Sequence, residues 1–431
     1  GLKIAAVSYR ESPKDILLIR KEAVDIKEVF SLRKGAITGT SSARRKAQLL
    51  HHRPDIHLKE LRGNVPTRIQ KLRNGDYDAI MLAQAGVNRL QIDLSEFHLE
   101  IMDPRVFVPA PAQGVLALQI RSNDEDLNEI LQKINFPEVA ECISVERELL
   151  RKMNGGCQLP LGAYCIYQEG KFRFWSAMGK QWDSPVKRIY LEDSSFDSLA
   201  EKAFNKHNDK KSARVYISRT QKQAEHFFRS VSLCGYDVHG CSLTRYEQVP
   251  FSGLPSCDWI FFSSKNCVKY FFSQHPGIPK GVKVGSIGGA TAAALKNKGI
   301  IADFTGESND TTLIGKQFAD LVGNAIVLFP QSTASFRTIQ KQFLSQKNLV
   351  DMVVCDTVED LGANPHEADI IVLNSQTNAL LYLRKKKALP DQLFISIGKS
   401  TAEVLYKSGI KNVLTPWNTS EVALADMVCS L

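Results

Sequence analysis

The sequence predicts an α/β protein of several domains, on three observations. Its 431 residues exceed one ordinary core and, at roughly 100 to 200 residues per domain, fill three or four compact units. Short apolar runs of strand length alternate with stretches of helical periodicity. The second half also contains an internal repeat: "CDWIFFSSKNCVKYFF" (257–272) is similar to "ADIIVLNSQTNALLYL" (368–383), and "SIGGATAAALKNKGI" (286–300) to "SIGKSTAEVLYKSGI" (396–410), at offsets of 111 and 110 residues. Each copy reads strand, Ser-containing loop, helix, strand, Gly-Thr loop, helix. That period is too long for a solenoid and suits two similar α/β lobes.

Taken in order, "LKIAAVSY" and "YDAIMLA" read as buried strands, with helices "SSARRKAQLLHHR" and "PTRIQKLRNG" between them. "FVPAPAQGVLALQIR" sets Pro109, Pro111 and Gly114 ahead of an apolar strand, as in a crossover between lobes. "DEDLNEILQKI" and "PEVAECISVERELLRKM" carry helical spacing, the second ending on Asn154, Gly155 and Gly156, a C-cap signal. "GAYCIYQEGKFRFWSAMG" alternates as a hairpin turning at Glu169 and Gly170. "FDSLAEKAFNKHNDKKSAR" is a helix running into a polar linker, which places the main boundary near residues 206–212.

No run reaches the roughly 18 apolar residues of a membrane span, and the opening "GLKIAAVSYRESPKD" lacks the pattern of a signal peptide, so no membrane association is expected. Nine cysteines scattered without paired spacing argue against a disulfide framework or a zinc site and suggest a reducing, cytoplasmic setting. The net charge of +9 points to an anionic partner. No aromatics are interleaved with the basic clusters as nucleic-acid stacking platforms require, so a small polyanion is favoured over nucleic acid.

The arrangement of arginines sharpens this. "GTSSARRK" offers Thr40, Ser41 and Ser42 as N-caps, so Arg44 and Arg45 fall in a first helical turn whose free N–H groups are already positive. "RGNVPTRI" repeats the arrangement, with a helix starting at Asn64 or Val65, Pro66 in its first turn, and Arg62 and Arg68 on either side. With Arg89 after "LAQAG", two such helix starts suit a pocket for carboxylates or phosphates. The alternative is that these arginines are solvated or paired on helix surfaces. His51, His52 and His57 in "HHRPDIH" lack zinc-helix spacing and read as surface residues; no metal is expected.

Cys157, in "MNGGCQLPLGAY", lies in a glycine-flanked loop just past a helix, near Arg151 and Lys152, where thiolate is favoured. A covalent role and a packed thiol are both open on these grounds. In the second half Ser263, Ser264 and Ser375, and Thr291 and Thr401 beside Gly288 and Gly398, occupy loops at strand ends that open helices. Ligands of open α/β sheets bind there, held by amides and small hydroxyls, although the same residues also serve as plain N-caps.

Residues 1 to about 205 resemble hydroxymethylbilane synthase (porphobilinogen deaminase) through "GTSSARRKAQLLHHRPD", "LRGNVPTRIQKLRNGDYDAIMLAQAGVNRL", "PAPAQGVLALQIR" and "NGGCQLPLGAY". Residues 213–431 resemble uroporphyrinogen-III synthase through the duplicated motifs and the ending "TPWNTSEVALADMV". The resemblance implies periplasmic-binding-protein-like deaminase lobes and an α+β cofactor domain, followed by a two-lobed α/β synthase. The boundaries it implies are a remnant of deaminase domain 1 at 1–28, domain 2 with the anion pocket at 29–114, a return segment at 115–150 and domain 3 at 151–208. A linker at 209–212 then leads to synthase lobes formed by 213–245 with 356–431 and by 246–355.

It further implies that Cys157 carries a dipyrromethane cofactor in thioether linkage, a primer for four porphobilinogen units added with loss of ammonia. Arg44, Arg45, Arg62, Arg68 and Arg89 match the carboxylate-binding arginines, with Thr40 and Ser42 beside them. The synthase would close hydroxymethylbilane after loss of water, inverting the last ring, with Ser263, Ser264, Thr291, Ser375 and Thr401 around its cleft. One tyrosine common in that family is replaced by Cys355, which argues against a tyrosine acid. The opening residues match the family segment just beyond the deaminase motif His-Ser-x-Lys-Asp, roughly 90 residues into a family member and consistent with half an α/β domain. The catalytic aspartate is therefore absent from this sequence, and Asp15 does not take its place. On this reading the chain by itself does not make hydroxymethylbilane. Another class of function is a non-catalytic two-lobed binding protein for anionic tetrapyrrole-like ligands. Oligomeric state is left open.

Overall fold

Apolar runs of four to six residues form the central strands of the computed structural model, which describes every residue except Cys157, Lys210, Asn309 and Ala334. Two compact units result, Gly1–Lys210 with Val428–Leu431, and Lys211–Met427.

The first unit contains, in order, β1 (Leu2–Val7), β2 (Asp15–Ile19), β3 (Ile37–Gly39), α1 (Ala43–His52), β4 (His57–Lys59), α2 (Val65–Arg73), β5 (Ala79–Ala83), α3 (Gln84–Leu90) and β6 (His98–Ile101). There follow β7 (Ala117–Arg121), α4 (Glu125–Gln132), α5 (Pro137–Lys152), β8 (Leu161–Gln168), β9 (Lys171–Met178), β10 (Lys187–Asp193) and α6 (Leu199–Asn208). A mixed sheet of order β4-β3-β5-β2-β6 lies at its centre. Because strand side chains alternate, Leu17 and Ile19 of β2 pack with Leu49 of α1, while Ile16 and Leu18 pack with Ile69 and Leu72 of α2. Both faces are covered, which is why β2 is apolar without alternation.

That place inside the sheet corrects the expected division at residue 28. Asp15–Ile19 pair with β5 on one side and β6 on the other, so they belong to the five-stranded sheet. Only β1 pairs with β7, as an antiparallel ribbon against which α4 packs. The expected return segment also ends early: Cys142, Val145 and Leu149 of α5 share a core with β8, β9 and α6, which makes α5 part of the third subdomain. There β8, β9 and β10 form an antiparallel sheet, and Glu169 and Gly170, at φ 53° and 77°, make the two-residue hairpin turn. Asn154, at φ 50°, closes α5, and the Gly155 N–H donates back to the Leu150 carbonyl at 3.1 Å.

Two crossover segments tie these parts together. Glu11 N–H donates to the Gly114 carbonyl and Ser8 N–H to that of Leu116. Gly114 adopts φ 91°, and a Cβ there would lie 2.4 Å from the Glu11 carbonyl oxygen, so glycine is required. Buried Glu146 of α5 accepts from Arg10 at 2.6 and 3.3 Å, from Ala112 N–H at 2.6 Å and from Cys165 N–H at 2.8 Å, fixing both crossovers to the third subdomain.

The second unit runs β11 (Arg214–Ile217), α7 (Glu225–Leu233), β12 (Asp237–Gly240), β13 (Thr244–Gln248), β14 (Trp259–Phe262), α8 (Lys265–Phe272), β15 (Lys283–Ser286), α9 (Gly289–Lys296), β16 (Phe304–Thr305) and α10 (Thr311–Val322). It continues with β17 (Val327–Ser332), β18 (Leu349–Glu359), β19 (Ile370–Leu373), α11 (Gln376–Lys385), β20 (Leu393–Ser396), α12 (Lys399–Lys407) and β21 (Val413–Leu414); α13 (Glu421–Cys429) is the last element. One lobe is the parallel sheet β12-β11-β19-β20-β21 and the other is β13-β18-β17-β14-β15-β16. The repeated segments become β14-α8-β15-α9 and β19-α11-β20-α12, one in each lobe. The expected lobe boundaries at 245/246 and 355/356 cut through β13 and β18. These strands pair antiparallel from Thr244↔Glu359 to Gln248↔Cys355, so the chain changes lobes before Thr244 and after Glu359.

Candidate functional site

In the first unit the two arginine-bearing helix starts lie side by side. Ser42 caps α1, accepting from the Arg45 N–H, and Asn64 caps α2, accepting from the Thr67 N–H at 2.9 Å. Ser41 ties the two loops together: its hydroxyl donates to the Leu61 carbonyl at 2.8 Å and accepts from the Leu61 N–H at 3.0 Å. Thr40, buried beneath this junction, accepts from the Ser42 N–H at 3.3 Å.

Arg44 and Arg45 turn inward onto a residue that the sequence assigned no role. The wholly buried carboxylate of Asp15 accepts from Arg44 at 2.6 and 3.3 Å, from Arg45 at 3.0 and 2.8 Å, and from Gln113 Nε2 at 3.2 Å. Burial alone raises the Asp15 carboxyl, but Arg44 and then Arg45 outweigh it and hold it below its ordinary range. Burial is also the largest influence on Arg44, lowering it, with Asp15 opposing and Arg45 adding to the shift. Asp15 is thus a counter-ion, and one carboxylate for two guanidiniums leaves an excess positive charge. The buried Nε of Arg44 has no hydrogen-bond partner.

Arg68, half-buried, donates to the Gly63 carbonyl at 2.7 Å; burial and then the neighbouring Arg45 lower its pKa. Arg62 is exposed. Arg89, also exposed, donates to the Gly114 carbonyl at 3.2 Å, next to the Gln113 whose side chain meets Arg44. Arg44 and Arg45 thus form a buried pair, with Arg68 near Arg45 and Arg89 near Gln113 more open. Cys157 lies outside the described residues. His51 is buried in α1 with its ring edge-on to His52, which corrects the surface reading; only His57 of the three is exposed. Among the described residues no cluster of three His, Cys, Asp or Glu could hold a metal, and no helix is long and apolar enough to cross a membrane.

In the second unit a cleft of about 340 Å³ is lined by Ser263, Ser264, Ser375 and Thr401, bringing together loops of both repeats. Ser264 caps α8 and Ser375 caps α11, accepting from the N–H groups of Cys267 and Asn378. Thr291 is a correction: it is buried in the first turn of α9 and does not line the cleft. Sequence reasoning missed Tyr246, Cys267 and Arg337, all of which line it. Burial raises the Tyr246 phenol, so it stays protonated at neutral pH. Arg337 pairs with Asp351 at 2.8 Å. Their signal is tertiary: Tyr246 reaches the cleft only because β13 pairs beside β18.

Residues 1–129 match the family model for the porphobilinogen deaminase dipyrromethane cofactor binding domain, and residues 140–180 that for the porphobilinogen deaminase C-terminal domain. Residues 235–428 match the model for uroporphyrinogen-III synthase HemD. Among curated relatives, porphobilinogen deaminase of Listeria welshimeri is 42% identical over 187 residues, covering 43% of this chain and 59% of the relative. That of Shouchella clausii is 43% identical over 199 residues, covering 46% and 61%. The chain thus spans about three fifths of the length of these relatives. Of solved structures, uroporphyrinogen-III synthetase from Helicobacter pylori aligns at 18% identity with a TM-score of 0.37, covering 49% of this chain and 96% of that one. A Thermus thermophilus uroporphyrinogen III synthase aligns at 13% with a TM-score of 0.35, covering 50% and 98%. The chain joins a segment of the porphobilinogen deaminase family to a domain of the uroporphyrinogen-III synthase family.

Proposed function

We propose that the second unit is a uroporphyrinogen-III synthase that cyclises hydroxymethylbilane with inversion of the last ring, and that the first belongs to a hydroxymethylbilane synthase that polymerises four porphobilinogens with release of ammonia. The observation carrying the first part is the cleft formed by both repeats, with capped helix starts, small hydroxyls and Tyr246 on its wall. Loss of the substrate hydroxyl as water needs a proton, and although Cys355 stands where the family commonly has a tyrosine, the half-buried, protonated phenol of another tyrosine, Tyr246, is the donor on this reading. Amides and hydroxyls at the N-termini of α8 and α11 would orient the carboxylates. Feeding fresh hydroxymethylbilane and identifying the porphyrin isomer tests this: isomer III is expected, and isomer I alone, the spontaneous product, overturns it. Tyr246→Phe is expected to lower the rate about 100-fold.

In the first unit the residues fit a dipyrromethane bearing acid side chains. An excess of positive charge, an unpartnered buried Arg44 Nε and two adjoining helix starts all favour carboxylates. Arg44, Arg45, Arg62, Arg68 and Arg89, with Thr40 and Ser42, would hold it, and Asp15 would position the inner pair. Bound through Cys157, the group supplies the primer to which substrate units are added. The antiparallel crossovers around Glu11 and Gly114 support a two-lobed, periplasmic-binding-protein-like arrangement of this part. Cysteines scattered without paired spacing in the sequence support a cytoplasmic setting. An intact mass carrying a dipyrromethane adduct at Cys157 tests the anchor; an alkylatable Cys157 thiol in protein supplied with porphobilinogen and the complete deaminase sequence overturns it.

A further inference from the structure

The cleft of the second unit takes its charge from a single side chain. Among the described residues that line it, Arg337 is the one cation and none is a carboxylate. Arg337 pairs through Nε with Asp351 of β18 at 2.8 Å, and its outer nitrogens, Nη1 and Nη2, have no hydrogen-bond partner among the described residues. Asp351 is braced in turn: its Oδ1 accepts from Gln340 Nε2 at 3.1 Å, and the same amide donates to Gln331 on β17 at 3.0 Å, both glutamines being buried. The guanidinium is thus held by its inner nitrogen while its outer edge, the fork that meets a carboxylate in two parallel bonds, stays open. Arg337 also adopts φ 52°, the left-handed region, which is costly for any residue with a Cβ. Bonds on both sides keep it there, from its N–H to the Ser335 hydroxyl at 3.3 Å and from the Lys341 N–H to its carbonyl at 3.1 Å. Such strain clusters where a side chain is held ready for a ligand. The neighbouring Phe336, 49% exposed, lines the same cleft. A large apolar ring left in water beside a lone cation suits a ligand whose flat rings carry acid side chains.

We propose that Arg337 and Phe336 form the specificity subsite of the cleft: Arg337 binds one carboxylate of a tetrapyrrole, linear or cyclic, and Phe336 packs against the pyrrole ring that carries it. The proposal rests on the synthase reading for the identity of this ligand. Every ring of a porphobilinogen chain bears an acetate and a propionate, so the ligand is a polyanion with many carboxylates to place. The helix starts of α8 and α11 offer partial charges to some of them, whereas Arg337 supplies a full charge with a fixed direction. Asp351 keeps the inner nitrogen, and the ligand carboxylate takes the open fork. A carboxylate is present in substrate and product alike, so this contact favours binding at every stage and belongs to KM rather than to kcat.

The test compares Arg337→Gln, Arg337→Lys, Phe336→Ala and Asp351→Asn with wild type, all as the full chain. With hydroxymethylbilane as substrate, Arg337→Gln is expected to raise KM about tenfold, with kcat within about twofold and isomer III still formed, and Arg337→Lys to recover most of the loss. Binding of uroporphyrinogen III, measured by anaerobic equilibrium dialysis, needs no turnover. It is expected to weaken about tenfold in Arg337→Gln and about threefold in Phe336→Ala. In Asp351→Asn it is expected to tighten about twofold, because the amide oxygen still accepts from Nε and a negative charge beside the ligand is gone. An ion pair with only a structural role would change stability in both of its variants and leave binding unmoved. Wild-type affinity in Arg337→Gln or Phe336→Ala overturns the proposal, as does weakening in Asp351→Asn equal to that in Arg337→Gln, or no binding by wild type. Isomer I alone from wild type overturns the synthase reading instead, and the dialysis still decides this one.

Discussion

The proposed anion site of the first unit is built from buried guanidiniums gathered on Asp15, whereas the cleft of the second is walled by helix caps, small hydroxyls and main-chain amides. The difference lies in where the charge is stored. Arg44 and Arg45 carry full charges out of water, so their site needs an internal counter-ion before any ligand arrives. Ser264 and Ser375 engage partial charges that the helices supply through the backbone, and these need none. The first arrangement is the more vulnerable to loss of a single carboxylate, and the second is expected to be the more tolerant.

The sharpest way to break the contrast is Asp15→Asn. It leaves two buried guanidiniums without a counter-ion and is expected to destabilise the first unit by about 3–5 kcal/mol, read by denaturant unfolding. A loss below about 1 kcal/mol would mean that the arginines relax outward to solvent. Acid provides a second probe of buried titratable groups in that unit. His207, against Ser176 Oγ at 2.8 Å, is lowered from 6.5 to about 3 by burial and then by Lys187. With the folded pKa depressed, its contribution is present above about pH 6.5 and is lost as pH falls toward 3. Between pH 7 and pH 5 the loss is about 2 kcal/mol, and His207→Gln should flatten that slope.

In the second unit Ser375→Ala removes one cap and is expected to cost about 1 kcal/mol in unfolding free energy. A loss near that of Asp15→Asn would erase the distinction between the two sites. The smallest stability effect is expected for Arg68→Ala, within about 0.5 kcal/mol because the side chain is half-exposed and meets only a carbonyl. If Arg68 serves the anion, binding of dipyrromethane carboxylates should nonetheless weaken clearly, as shown by a reduced yield of the Cys157 adduct.

Local signals in the sequence determined the helix starts at Ser42 and Asn64, the Glu169–Gly170 turn, the C-cap after α5 and the two repeated strand–helix pairs. Each depends on residues within about one turn or one hairpin of one another, so composition and spacing suffice. The same locality made the arginine clusters visible as a candidate anion site. Only the tertiary structure decided that Asp15 is their counter-ion, that β2 lies inside the five-stranded sheet, that α5 packs into the third subdomain, and that Tyr246 and Cys267 share one cleft. Those facts depend on strand order and on pairings across long stretches of chain. A buried carboxylate's partners are set by which strands lie side by side, and no periodicity in the chain encodes that.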